Sequence, residues 1–120
     1  MDKSEFVEYL KDRTKKLAVD IVLFYKNLDK CETSRVMGRQ LIRSATSTAA
    51  NYRAACISRS QKEFFSKMSI VVEEADETLF WLEMFRDTEF VSDKELKPLM
   101  EEALEILKIV SKARKNAGAN

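Results

Sequence analysis

Apolar residues return along this chain at steps of three and four, in four separate series. Phe6, Leu10, Leu17, Ile21, Phe24 and Leu28 form the first, with Thr14 at its one polar position. Side chains at these steps share one face of a helix with 3.6 residues per turn, so the series predicts a helix over residues 4–28. Between Leu17 and Tyr25 the apolar positions spread sideways to Val19, Val22 and Leu23, more breadth than one-sided packing requires. The polar stretch from Asn27 to Thr33 interrupts the pattern. Thr33 or Ser34 is expected to cap the next helix, because a hydroxyl there can accept a free N–H of the first turn. That second helix is expected over 34–56, with Met37, Leu41, Ala45, Thr48, Tyr52 and Ala55 on one stripe. Its middle, Ser44 to Asn51, is made almost wholly of small residues. Serine and threonine are moderate helix formers, so this segment calls for close packing or side-chain hydrogen bonds to hold it.

Ser60-Gln61-Lys62-Glu63 has the form of a capping box, in which serine and glutamate satisfy each other's exposed N–H groups. It opens a third helix, expected over 61–87, whose seam runs Phe64, Met68, Val71, Ala75, Thr78, Leu82, Phe85 in alternating steps of four and three. Ser92-Asp93-Lys94-Glu95 repeats the box ahead of a fourth helix, expected over 93–115. There Leu96, Met100, Ala103, Leu107 and Val110 mark the buried side, and Leu104, Ile106 and Ile109 widen it. Pro98 falls in the first turns, where a missing N–H matters least. Lys112, Arg114 and Lys115 complement the C-terminal end of the helix dipole, and the tail from Asn116 is expected to fray. Short links between the four helices favour an all-α, antiparallel up-down-up-down four-helix bundle, a single domain over residues 1–120.

Composition supports long uninterrupted helices: 45% of the residues are hydrophobic, with two glycines and one proline. Such a chain carries enough apolar surface for one core and too few turn formers for a sandwich or barrel. The opening Met1-Asp2-Lys3-Ser4-Glu5 has no apolar run behind a basic start, so no secretory leader is expected. No stretch is apolar enough to span a membrane. Cys31 and Cys56 read as reduced, structural thiols, with a single bridge between them as the alternative, and a cytoplasmic protein is expected. The net charge is only +1, yet the chain is basic up to about Val72 and acidic beyond it. That split gives either one basic and one acidic surface, or two halves that attract each other.

Little in the chain suggests catalysis. Histidine is absent, which removes the commonest general base and metal ligand. Gly38 and Gly118 build no phosphate-cradling loop. Glu73/Glu77 and Glu101/Glu105 are carboxylate pairs four apart, but a two-metal site on facing helices normally includes Glu-x-x-His. No enzyme activity, cofactor or metal is expected. Gln40, Arg43, Ser44, Ser47 and Asn51 instead form a polar ridge beside the second helix's core stripe. Glu74 and Glu77 flank the stripe of the third. Arg43 reaching one of these carboxylates would anchor a partly buried network that fixes helix pairing, with a binding site as the competing reading.

Lys11, Arg13, Lys15 and Lys16 make a basic run in the first helix. Arg35, Arg39, Arg53, Arg59, Lys62 and Lys67 add charge in and around the next two. Arg35, Arg39 and Arg43, four apart, could follow a phosphate backbone; a solvated face produces similar runs. Val19, Leu23, Phe80, Trp81 and Met84 exceed the needs of one core and mark a surface for self-association, or else simply a wide core.

The blocks Gln40-Leu41-Ile42-Arg43-Ser44-Ala45-Thr46-Ser47 and Ala50-Asn51-Tyr52-Arg53-Ala54-Ala55 are followed by Phe64-Phe65 and by Glu73-Glu74-Ala75-Asp76-Glu77-Thr78-Leu79-Phe80-Trp81-Leu82-Glu83. In their order and spacing the chain resembles the small proteins encoded in intervening sequences of bacterial large-subunit ribosomal RNA genes. The resemblance covers nearly the whole chain and implies an up-down four-helix bundle. Related proteins form ring-like homopentamers, including accessory proteins of diversity-generating retroelements that contact reverse transcriptase and nucleic acid. By matching position the family's recurrent polar residues fall on Gln40, Arg43, Ser44, Ser47, Asn51 and Glu77. The resemblance implies no enzymatic activity. The expectation is a homo-oligomeric scaffold, pentameric by resemblance, that binds structured RNA or DNA. The alternative is an adaptor that binds another protein, such as a reverse transcriptase, without touching nucleic acid.

Overall fold

The computed structural model describes residues 1–118 and contains four helices: α1 Lys3–Lys26, α2 Glu32–Ala55, α3 Gln61–Asp87 and α4 Asp93–Gly118. Helices of 24 to 27 residues are about 36–40 Å long at 1.5 Å per residue. The whole molecule measures 46 × 25 × 20 Å, so consecutive helices must fold back on one another. The result is an all-α antiparallel up-down-up-down four-helix bundle. α2 packs most extensively on α3 and α3 on α4, while the α1–α4 seam is the loosest. α1 and α3 stand on the diagonal and meet only through core side chains, such as Phe24 edge-on to Phe85 at 5.6 Å.

The apolar stripes become the core. Leu10, Leu17 and Ile21 of α1, the entire Met37-to-Ala55 stripe of α2, and Met68, Val71, Ala75, Leu82 and Phe85 of α3 are buried. In α4, Ile106 takes a core place alongside Leu96, Ala103 and Val110, whereas Leu107 is half-buried and Leu104 exposed. The waist of the bundle is built mainly from small residues, Thr14, Ala45, Thr48, Ala75, Thr78 and Ala103, with Leu17 and Ile106 beside them. Among them they leave a void of only about 10 Å³. Each buried threonine hydroxyl donates to a carbonyl four residues back: Thr14 to Leu10 at 2.9 Å, Thr48 to Ser44 at 2.7 Å and Thr78 to Glu74 at 2.9 Å. These polar groups therefore carry no unsatisfied donor into the core.

Helix ends differ from expectation in physically instructive ways. α1 stops at Lys26, and Asn27 closes it by donating from its side chain to the Leu23 carbonyl at 2.9 Å. Cys31, not Thr33 or Ser34, is the N-cap of α2. Ser34 sits one turn inside and accepts the Cys31 N–H at 2.9 Å, the reciprocal half of a capping box. At α3, Ser60 accepts the Glu63 N–H at 3.1 Å, but the Glu63 carboxylate turns away to Lys67 and Arg59. α4 does not fray at Asn116: it continues to Gly118, with Ala117 buried. A side chain at position 118 would collide with the Phe65 ring, and one at Gly38 with the Tyr25 ring, so both glycines permit aromatic rings to lie directly on a backbone. The two cysteines are free and sit at opposite ends of α2. Among the described residues no helix is long and apolar enough to cross a membrane.

Candidate functional site

The two flanks of α2 carry most of the unusual chemistry, and they differ. Toward α3, the Arg43 guanidinium donates to Glu74 at 3.1 Å, to Glu77 at shorter range, and to Gln40 at 3.2 Å. The Glu77 hydrogen bond raises the Arg43 pKa above its ordinary value. Trp81 joins the cluster, its indole N–H donating to Glu77 at 3.2 Å. This corrects the expected network in membership. Ser44 is buried and donates to the Leu41 carbonyl, while Asn51 donates to the Ser47 carbonyl and hydroxyl at 2.8 and 2.9 Å. These three are satisfied within α2, because short polar side chains reach the carbonyl one turn back more readily than a neighbouring helix. Only Gln40, Arg43, Glu74 and Glu77 remain in the cluster that bridges the helices, and the Arg43 side chain is 47% exposed. Trp81 could have been placed there from its four-residue spacing to Glu77.

Toward α1, the other flank stays open. Thr46, Ala49 and Ala50 are too small to meet α1, and they leave a groove of about 740 Å³. Its floor and edges are Ala18, Val19, Val22 and Leu23 of α1 with Ala49 and Ala50 of α2. Lys11, Lys15, Lys26 and Arg53 rim it, with Glu8 and Asp12 at one end. Val19 and Leu23 are each 47% exposed. Lys26 was not singled out by the sequence pattern, although it stands four residues beyond Val22 on the same side of α1.

The basic candidates separate into tied and untied groups. Arg13 leaves the basic face altogether: it forks onto Glu102 of α4 with two contacts of 2.7 Å and donates to the Tyr9 hydroxyl at 2.8 Å. That fork raises its pKa above the ordinary arginine value and closes the otherwise loose α1–α4 seam. Lys11 pairs with Glu8, Lys16 with Asp20, and both Arg59 and Lys67 with Glu63. Among the described residues, Lys15, Lys26, Arg35, Arg39, Arg53 and Lys62 have no ion-pair partner. Arg35 and Arg39 continue the line of Thr46, Ala50 and Arg53 along α2, because steps of seven, four and three return to the same side of a helix.

The apolar surface candidates do not form one patch. Val19 and Leu23 edge the α1–α2 groove, whereas Phe80, Trp81 and Met84 lie on α3, diagonally across the bundle. Phe80 is 48% exposed and stands edge-on to Trp81 at 4.9 Å, while Trp81 and Met84 are half-buried.

A family model of 23S rRNA-intervening sequence proteins matches residues 10–112 of the chain. Among solved structures, the chain is similar to a protein of unknown function from the S23 ribosomal protein family of Bacteroides thetaiotaomicron. The two are 35% identical, with a TM-score of 0.81 over 88% of this chain and 98% of that one. No curated protein matches the chain.

Proposed function

The chain belongs to the 23S rRNA-intervening sequence protein family, and we propose that it is a non-enzymatic oligomeric scaffold that binds nucleic acid through the basic face of α1 and α2. One observation carries this reading. The carboxylates of the bundle neutralise Arg13, Arg43, Arg59 and Lys67, yet Lys15, Lys26, Arg35, Arg39 and Arg53 are left without partners on one side. Unpaired cations cost self-repulsion in the folded protein, and a polyanion removes it. Arg35 to Arg53 spans 18 residues of α2, about 27 Å, most of the roughly 34 Å turn of a nucleic-acid duplex. The face has neither the base-reading geometry of a recognition module nor a stacking platform, so recognition would be by shape and charge. We place the protein in the cytoplasm, which suits its two free thiols, as a ring of five copies, the number implied by the sequence resemblance.

Fluorescence titration with RNA and DNA duplexes at rising salt tests the proposal. Binding at low salt that weakens steeply as salt rises is expected, and no binding at low salt would overturn it. The apolar floor of the groove favours a second reading, an adaptor for another protein. Recovery of one stoichiometric protein partner that survives nuclease treatment, together with a failed titration, would favour that reading instead.

A further inference from the structure

We infer that the α1–α2 groove seats an unpaired nucleobase, so that this face binds RNA carrying an extrahelical nucleotide, in a bulge or a loop, in preference to an uninterrupted duplex. The inference rests on the nucleic-acid part of the proposed function and adds to it the class of substrate.

The basic face is not evenly charged. Lys15, Lys26 and Arg53 stand around an aliphatic floor in which Val19, Leu23 and Ala50 are exposed and Val22 and Ala49 half-buried. Lys15 precedes Val19 by four residues, Lys26 follows Val22 by four and Arg53 follows Ala49 by four. Residues four apart are neighbours on a helix surface, so each cation borders apolar surface directly. A strand whose phosphates meet these cations therefore lies over that floor. The outside of a duplex is phosphate and sugar, which gain little by covering aliphatic side chains. Bases have the flat apolar faces that would gain, but pairing keeps them stacked inside the helix. An unpaired base is free to turn inward and remove the floor from water.

Size and polarity agree with that occupant. The groove holds about 740 Å³, within the roughly 300–1,000 Å³ of sites that enclose a small organic ligand. Thr46 supplies the one hydroxyl of its lining, and that hydroxyl already donates to the Ile42 carbonyl at 2.7 Å and the Arg43 carbonyl at 3.2 Å. No hydroxyl proton is left for a base edge. The groove therefore holds a base by its faces without reading its edges, and it recognises the unpaired state of a nucleotide, not a sequence. Glu8 and Asp12 repel phosphate at the end where Lys11 is tied to Glu8, which leaves Lys15, Lys26 and Arg53 as the phosphate contacts around the base. The same cations thus serve the backbone while the floor between them serves the base.

The test titrates the full chain with an uninterrupted RNA duplex, the same duplex with a one-nucleotide bulge, and that bulged duplex with its extra nucleotide made abasic. Wild type is expected to bind the bulged RNA about fivefold more tightly than the other two. That is the low end of what a base gains on an aromatic ring, because aliphatic walls offer no π-face. The bulged and uninterrupted RNAs are expected to share one salt slope, since the base adds no phosphate contact. Ala50→Leu fills the groove without changing charge at an exposed position, and circular dichroism checks that it keeps the helical fold. It is expected to bind all three RNAs alike. In the bulged position 2-aminopurine is expected to be shielded from acrylamide quenching by wild type and not by Ala50→Leu. Equal wild-type affinity for the bulged and uninterrupted RNAs would overturn the inference and leave the nucleic-acid reading standing. So would an abasic bulge bound as tightly as the full one, which would assign the preference to bending. An Ala50→Leu variant that keeps the preference but loses a co-purifying protein would overturn it too and give the groove to that protein. Failure of all three RNAs to bind at low salt would overturn the nucleic-acid reading itself.

Discussion

The two flanks of α2 are made from similar materials and do opposite things. On the α3 side an arginine finds two glutamates and a glutamine, and the helices close over a waist of alanine and threonine. On the α1 side the residues are just as small, but they face the broad aliphatic stretch of α1 at a distance and leave a groove at which Lys11 is paired with Glu8 while Lys15, Lys26 and Arg53 have no ion-pair partner among the described residues. Small residues let backbones approach only where the opposite helix is small too. Ala45 faces Ala75 and Ala103, which are small; Ala49 and Ala50 face Val19 and Val22, which are not. The same composition thus yields a seam in one direction and an open groove in the other.

Enlarging each flank gives the largest contrast. Ala45→Leu adds three carbons to a waist whose void is about 10 Å³, and it is expected to lower stability by about 1–3 kcal/mol in urea denaturation. Ala50→Leu, at an exposed position of the groove, is expected to stay within about 0.5 kcal/mol of wild type. Equal losses at the two sites would mean that α1 closes on Ala50 within one copy and that the flank is not open.

Breaking the ion pairs has a smaller effect and ranks the seams. Arg13→Ala removes a two-pronged contact whose partners are only 22% and 32% exposed, and a loss of roughly 1 kcal/mol is expected. Arg43→Ala removes a more exposed guanidinium, so a loss below about 1 kcal/mol that shrinks with added salt is expected. Outright unfolding of Arg43→Ala would make the cluster a far stronger determinant of helix pairing than its exposure suggests.

The smallest effect separates the two ends of α2. The Ser34 N–H beside the Cys31 sulfur lowers that thiol's pKa, and Cys31 is exposed, while burial raises Cys56. A lowered pKa means more thiolate at a given pH, so iodoacetamide at pH 7 is expected to label Cys31 well before Cys56, with the gap narrowing as pH rises. Mass spectrometry of the labelled peptides reads the order directly.

The four helices and most of the core were legible because burial repeats at 3.6 residues whatever the partner helix is. The α2 stripe from Met37 to Ala55 and the α3 seam needed no tertiary information. The surface was harder. Arg13 and Lys15 are equivalent in a basic run, and only the approach of Glu102 from α4 decides that one is neutralised and the other free. Ser44, Ser47 and Asn51 looked like network members because they share a side of α2, but local carbonyls satisfy them first. The capping of α2 by Cys31 was hidden because cysteine carries no strong capping preference, although Ser34 three residues on was the usable signal. Val19 and Leu23 were recognisable as surplus, yet their separation from Phe80 follows only from the diagonal placement of α1 and α3.

The central claim is that the untied arginines on the open flank, and not the tied one on the closed flank, meet phosphate. Salt-dependent binding of duplex RNA should be compared for wild type, Arg35→Glu/Arg39→Glu and Arg43→Ala. The account predicts that the double variant loses low-salt affinity and that its log–log salt slope flattens by about 0.9 for each phosphate contact removed, while Arg43→Ala keeps the wild-type slope. A double variant with unchanged affinity and slope would contradict it.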